Sequence, residues 1–166
     1  MLKPIFYFKK LKRIDYILIV IYLLLSILSG YLFFTSKENE PKRDILFVYT
    51  IGSHFYIYFF IYRALRNLSF YVVWLFFASI HLYFYFQLKN DLTLSFLKAN
   101  PVFGLRNTII LLILYQLFRV ISLNIQKQEF VPPTKGGKDI YDNRKSNILD
   151  HLFFILYVVT IITLSL

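Results

Sequence analysis

The chain has 166 residues and a formal net charge of +10; 58% of its residues are hydrophobic, 20% aromatic and only 17% charged. Soluble domains run at roughly 45–50% apolar and ~25% charged, so this composition excludes a compact water-soluble enzyme, and it excludes disorder over most of the length. With no cysteine there is no disulfide framework, thiolate nucleophile, or Cys-ligated zinc or iron–sulfur site.

Residues 1–12, MLKPIFYFKKLK, mix aromatic side chains with lysine. That pattern predicts an interfacial segment on the inner leaflet. Five apolar runs follow, each near the length a bilayer crossing requires. They cover about residues 16–34, 45–62, 68–88, 108–125 and 148–166. A lone apolar run in lipid must satisfy its own backbone, so all five are expected to be helices. The alternating ten-residue pattern of a membrane β-barrel does not occur. The fold class expected is an all-α polytopic bundle, one integral membrane domain spanning 1–166. The first run is too long for the core of a signal peptide and no Ala-x-Ala site follows, so it reads as a retained anchor. Asp15, Asp44, Asn67, Asn107 and Asn147 stand just before the five runs and are candidate N-caps.

Span 2 carries Thr50, His54 and Tyr58 at four-residue spacing, and span 3 carries Trp74, Ala78, His81 and Tyr85 on one face. His54 and His81 lie at depths that differ by roughly 5 Å, so adjacent antiparallel helices can bring the rings together. Two readings follow: axial ligation of a single b-type haem, or histidines hydrogen-bonded across helices to Tyr, Ser or Thr. The second is favoured, because these spans are crowded with Phe and Tyr. Beyond span 3, residues 91–98 are amphipathic if helical, with Leu94 and Leu97 three apart, and are expected to lie along the outer surface until Asn100-Pro101 and Gly104 break the segment.

Span 4 carries a polar stripe, Gln116, Arg119, Ser122 and Gln126, on an otherwise apolar helix. Charged and polar groups at membrane depth are costly to keep and point to glue between helices or to a ligand or ion path. Arg119 can snorkel to the interface or pair with Asp150 at the start of span 5. The connector 127–147 contains Pro132, Pro133, Gly136 and Gly137, which forbid one continuous helix. It reads as a solvated cytoplasmic loop or a docking loop. Its Gly-Gly-Lys lacks the spacing of a phosphate-binding loop. His151 reads as an interfacial residue.

Lys and Arg divide between the two sides in the ratio 12 to 6, counting the N-terminal segment, 63–66 and 127–145 against the rest and leaving out Arg119. The positive-inside rule then places the N-terminus in the cytoplasm and the C-terminus outside. Cations at helix ends beside aromatics fit anionic lipid headgroups rather than nucleic acid.

No carboxylate lies mid-span, and no HExxH or GxSxG occurs. Neither catalytic residues nor metal ligands can be assigned. Aromatic-rich lipid-facing walls and sparse small-xxx-small spacing suit packing against other subunits. The bias to Phe, Ile, Lys, Asn and Tyr resembles that of A+T-rich bacterial genomes. The leading expectation is a non-catalytic subunit or scaffold of a bacterial inner-membrane assembly. The alternatives are a pore or small-solute carrier on the span-4 stripe, a haem protein through His54 and His81, and a lipid-modifying enzyme.

Overall fold

A computed structural model describes residues 6–96, 99–133 and 144–166. Among these, all regular structure is helical: α1 (Arg13–Thr35), α2 (Asn39–Phe55), α3 (Leu68–Leu88), α4 (Pro101–Ile125) and α5 (Ile148–Ser165). The helices pass back and forth between two ends. At one end, Tyr7 N–H donates to the Arg66 carbonyl and Leu68 N–H donates to the Tyr7 carbonyl. This pairing ties the N-terminal segment to the α2–α3 turn. At the other end, Asn100 N–H donates to the Ser165 carbonyl and Arg106 donates to the Leu164 carbonyl, which pins the end of α5 to the start of α4.

Four of these helices, α1, α3, α4 and α5, are long and apolar enough to cross a membrane. The run at 45–62 is not among them. Its helix begins at Asn39 with the charged residues Glu40, Lys42, Arg43 and Asp44, and regular α-geometry stops at Phe55. The chain continues through a π-turn at Tyr56–Phe60 and a 3₁₀ turn at Ala64–Arg66. A π-turn widens the helix by one residue, and it turns Ile57 and Tyr58 into the core, where both are fully buried.

α4 is the central helix. It packs on α2, α3 and α5, and 44% of its apolar window is buried against 6% for α1. α1 rests chiefly on α2. Its contact with α3 is an aromatic junction, Tyr22 against Trp74 at 4.4 Å and Phe77 at 5.2 Å between ring centroids. Aromatic pairs at such distances add modestly to area burial.

The caps follow the real helix starts, not the starts of the apolar runs. Asn67 accepts from Ser69 N–H, and Asn147 and Asp150 form a reciprocal capping box. Asp15 stands inside α1 and accepts from Lys12 N–H. α4 starts seven residues earlier than expected, on Asn100 followed by Pro101, an arrangement suited to a first turn. Asn107 is therefore a buried mid-helix residue that donates to Ser165 Oγ. α2 starts before Asp44, with Glu38 at its N-cap position. Polar flanks can extend a helix past its apolar stripe because the backbone gains bonds whichever side chains it carries.

Two connecting segments also differ from expectation. Residues 92–94 form one 3₁₀ turn that buries Leu94 beneath Leu46, Val102 and Leu105; Leu97 lies outside the described residues. The segment after α4 is no solvated connector at its start. Phe130 and Val131 are fully buried, and the Phe130 ring packs on Tyr58, Tyr115, Phe118 and Phe153. The Gly-Gly-Lys element lies outside the described residues.

Candidate functional site

Two buried polar systems connect the helices. The first lies around the two histidines. His54 donates from Nε2 to the Gly104 carbonyl at 2.9 Å, since a carbonyl can only accept. This contact requires α2 and α4 to approach closely. A Cβ at Gly104 would lie 2.6 Å from Thr50 Cβ, so only glycine fits there. One turn further along α4, Thr108 Oγ1 lies 2.8 Å from His81 Nδ1. His81 Nε2 is 2.6 Å from the Tyr49 hydroxyl and 3.3 Å from that of Tyr22.

Donor counting fixes the direction of this chain. Ser26 uses its proton on the Tyr22 carbonyl, so Tyr49 must donate to Ser26. Tyr49 then has no proton left for His81, so His81 Nε2–H donates to Tyr49, while Nδ1 bonds the Thr108 hydroxyl, which also reaches the Gly104 carbonyl at 3.5 Å. Tyr22 donates to Ser53, and Tyr157 donates to the His54 carbonyl. The network thus draws on all five helices.

The shared faces expected on spans 2 and 3 are present. Thr50, His54, Tyr58, Trp74, Ala78 and His81 are buried, and Tyr85 is half-buried. The two imidazoles meet neighbouring turns of α4. A haem iron would have to displace Thr108 or Tyr49 from His81. No cluster of three or more metal-binding side chains occurs among the described residues.

The second system lies at the end carrying the N-terminal segment. Arg119 is fully buried and donates from Nε and Nη2 to the two carboxylate oxygens of Glu129 at 2.7 and 2.9 Å. Arg66 approaches the same carboxylate at 3.6 Å and donates to the Phe130 carbonyl. Tyr7 donates its hydroxyl proton to Glu129 at 2.9 Å, and its ring lies beneath the Arg119 guanidinium. Burial alone would raise the Glu129 carboxyl, but the Arg119 hydrogen bonds and the charges of Arg66 and Arg119 outweigh it and hold the group below its usual range. Burial, reinforced by the Glu129 carboxylate, raises the Tyr7 phenol.

This geometry corrects the ion pair expected between Arg119 and Asp150. Glu129 is the partner of Arg119, and Asp150 pairs with Arg144 at 2.7 Å. The physical reason is the reversal after α4. Lys127 adopts a left-handed conformation with φ 57°, and the chain folds back so that the Gln128 carbonyl accepts from Ser122 Oγ. Glu129 is thereby delivered to the buried guanidinium.

The span-4 stripe is therefore present as a stripe but is engaged by the fold. Gln116 donates to the Leu65 carbonyl, and Gln126 accepts from Arg144 and Asn147. His151 is exposed and donates from Nδ1 to the Asn147 carbonyl. Sequence reasoning missed Glu129, Arg66, Tyr7, Tyr49 and Thr108. Only Glu129 carried a usable signal, as the first carboxylate after an apolar run that contains an arginine.

No known protein family, characterised protein or solved structure matches the chain.

Proposed function

We propose that this chain is a non-catalytic integral subunit or scaffold of a larger bacterial inner-membrane assembly. It crosses the bilayer five times in this reading, with its N-terminus in the cytoplasm. The fifth crossing is α2 with its π-turn. In its support, Thr50, Ser53 and His54 are buried against the neighbouring helices rather than facing water.

The observation that carries the reading is the separateness of α1. Only Asp15 and Tyr22 of its 23 residues are buried. Val20, Leu24, Leu28 and Tyr31 project away from the bundle. Without a hydrophobic drive between helices in lipid, such a surface gains from close packing against another helix. The polar groups of α4, by contrast, are bound within the fold, which favours an assembly role over a conduction path. The basic residues of the N-terminal segment would hold that end against anionic headgroups.

A photoreactive residue placed in turn at Leu24, Leu28 and Tyr31, with Phe76 and Ile113 as controls, tests this in cells. The expected result is one discrete protein adduct from the α1 positions and lipid adducts from the controls. Lipid adducts alone at every position overturn it. Because the chain has no cysteine, single cysteines at Lys10, Lys145, Lys37 and Leu166 test the orientation. The first two should label only from the cytoplasm and the last two only from outside.

A further inference from the structure

α1 and α3 meet at Tyr22, which reaches Trp74, Phe77 and His81, and again where Phe34 stands beside Phe84, and they part between these two places. A cleft of about 290 Å³ opens between them, with α2 and Leu105 of α4 at its back. From Leu23 to Phe34 it follows α1 for about 17 Å at the helical rise. Its two edges, Leu23 and Ile27 on α1 and Ile80 on α3, are exposed apolar side chains. The opening therefore faces the surface that lipid covers. No charged side chain lines the cleft, so a charged occupant would enter without a counter-ion, at high cost.

The polar atoms in the wall are unequal. Ser26, Tyr49 and His81 have their protons committed to the network described above. Ser29 differs from these three wall residues: its hydroxyl has no hydrogen-bond partner among the described residues. In an apolar medium an unused hydroxyl donor favours a bound acceptor. Ser29 also lines a second cleft of about 490 Å³ between α1 and α2, so it stands where the two open spaces meet. Gly30 faces the first cleft, and a Cβ there would meet nothing within 4 Å.

We propose that this cleft binds a neutral membrane lipid, its apolar chain lying between α1 and α3 and a carbonyl oxygen accepting a hydrogen bond from Ser29. A cleft of this size sits at the lower end of ligand pockets, roughly 300 Å³, which suits one chain.

The test uses the full chain in nanodiscs, with three probes that carry a diazirine on the chain: a diacylglycerol, a phosphatidylglycerol and a free fatty acid. Mass spectrometry locates the adducts. The expected result is saturable labelling by the diacylglycerol at Ile27, Ile80 and Phe84, displaced by unlabelled diacylglycerol. Ser29→Ala should lower it three- to ten-fold. Gly30→Leu fills open space, so it should fold with unchanged melting and abolish the labelling. Labelling spread evenly over the lipid-facing surface and indifferent to Gly30→Leu means bulk lipid only and overturns the proposal. Stronger labelling by either anionic probe overturns its neutral character. None of these outcomes depends on the assembly proposed above.

Discussion

Arg119 and Glu129, on either side of the end of α4, are joined by two hydrogen bonds from one guanidinium to both oxygens of one carboxylate. The chain reverses at Lys127 and returns a counter-charge to this fully buried arginine. Removing one partner of such a pair leaves an uncompensated buried charge. Glu129→Gln should destabilise the protein by about 3–5 kcal/mol. The Arg119→Leu/Glu129→Leu double variant should lose less than the two single losses added together. Unfolding in mild detergent measures both, and additive losses would show that the pair is uncoupled.

The same pair predicts a dependence on acidity. The Glu129 carboxyl is held below its usual range in the folded state. Its contribution is then complete above the unfolded value, near ~4.3, and is lost as pH falls through the lower folded value. Melting curves at successively lower pH should show a loss in wild type that Glu129→Gln lacks. Parallel curves for the two proteins would contradict the assignment.

Gly104 and Thr50 set the distance between α4 and α2. Gly104→Ala places a methyl 2.6 Å from Thr50 Cβ, and that atom is fixed to its own backbone. A loss of about 1–3 kcal/mol is expected. Thr50→Ala removes the contacts at 2.8 and 3.1 Å but keeps the offending Cβ, so it should recover less of the loss than Thr50→Gly. Thermal melting of the four proteins distinguishes these outcomes.

His81 holds Thr108 and Tyr49 together across three helices. His81→Phe fills similar space but leaves both hydroxyls without their partner. The expected cost is about 1–2 kcal/mol, the range for hydrogen bonds between membrane helices. If the ring serves this structural role, purified wild-type protein should show no Soret absorption. A Soret band that disappears in His81→Phe would instead assign the ring to haem.

Phe130 anchors the segment after α4 in the core. Phe130→Ala should cost about 3–5 kcal/mol. It should also speed proteolytic cutting within 126–147, because Glu129 and Val131 are held in place beside it. Cutting at the wild-type rate would show that this segment is held by other contacts.

The sequence by itself determined the class of the molecule. Apolar runs the length of a bilayer admit only helices, because backbone groups in lipid must pair within the segment. Four of the five runs became helices apolar enough to span. Spacing by threes and fours also placed Thr50, His54, Trp74 and His81 correctly on inward faces, since helical periodicity is local. Helix starts were read less well. The apolar stripe ends at residue 108 on α4 and residue 45 on α2, but backbone hydrogen bonding continues into the polar flanks.

Tertiary structure decided what the polar groups do. Asp150 was a plausible partner for Arg119 by position along the chain, yet the turn at Lys127 brings Glu129 there first and leaves Asp150 to Arg144. That His81 donates from Nε2 follows from protons held by Ser26 and Tyr49 on two other helices. The cleft beside Ser29 exists because α1 and α3 meet around Tyr22 and again at Phe34 and Phe84 but part between. Such relationships depend on which helices become neighbours, and helical periodicity carries no record of that choice.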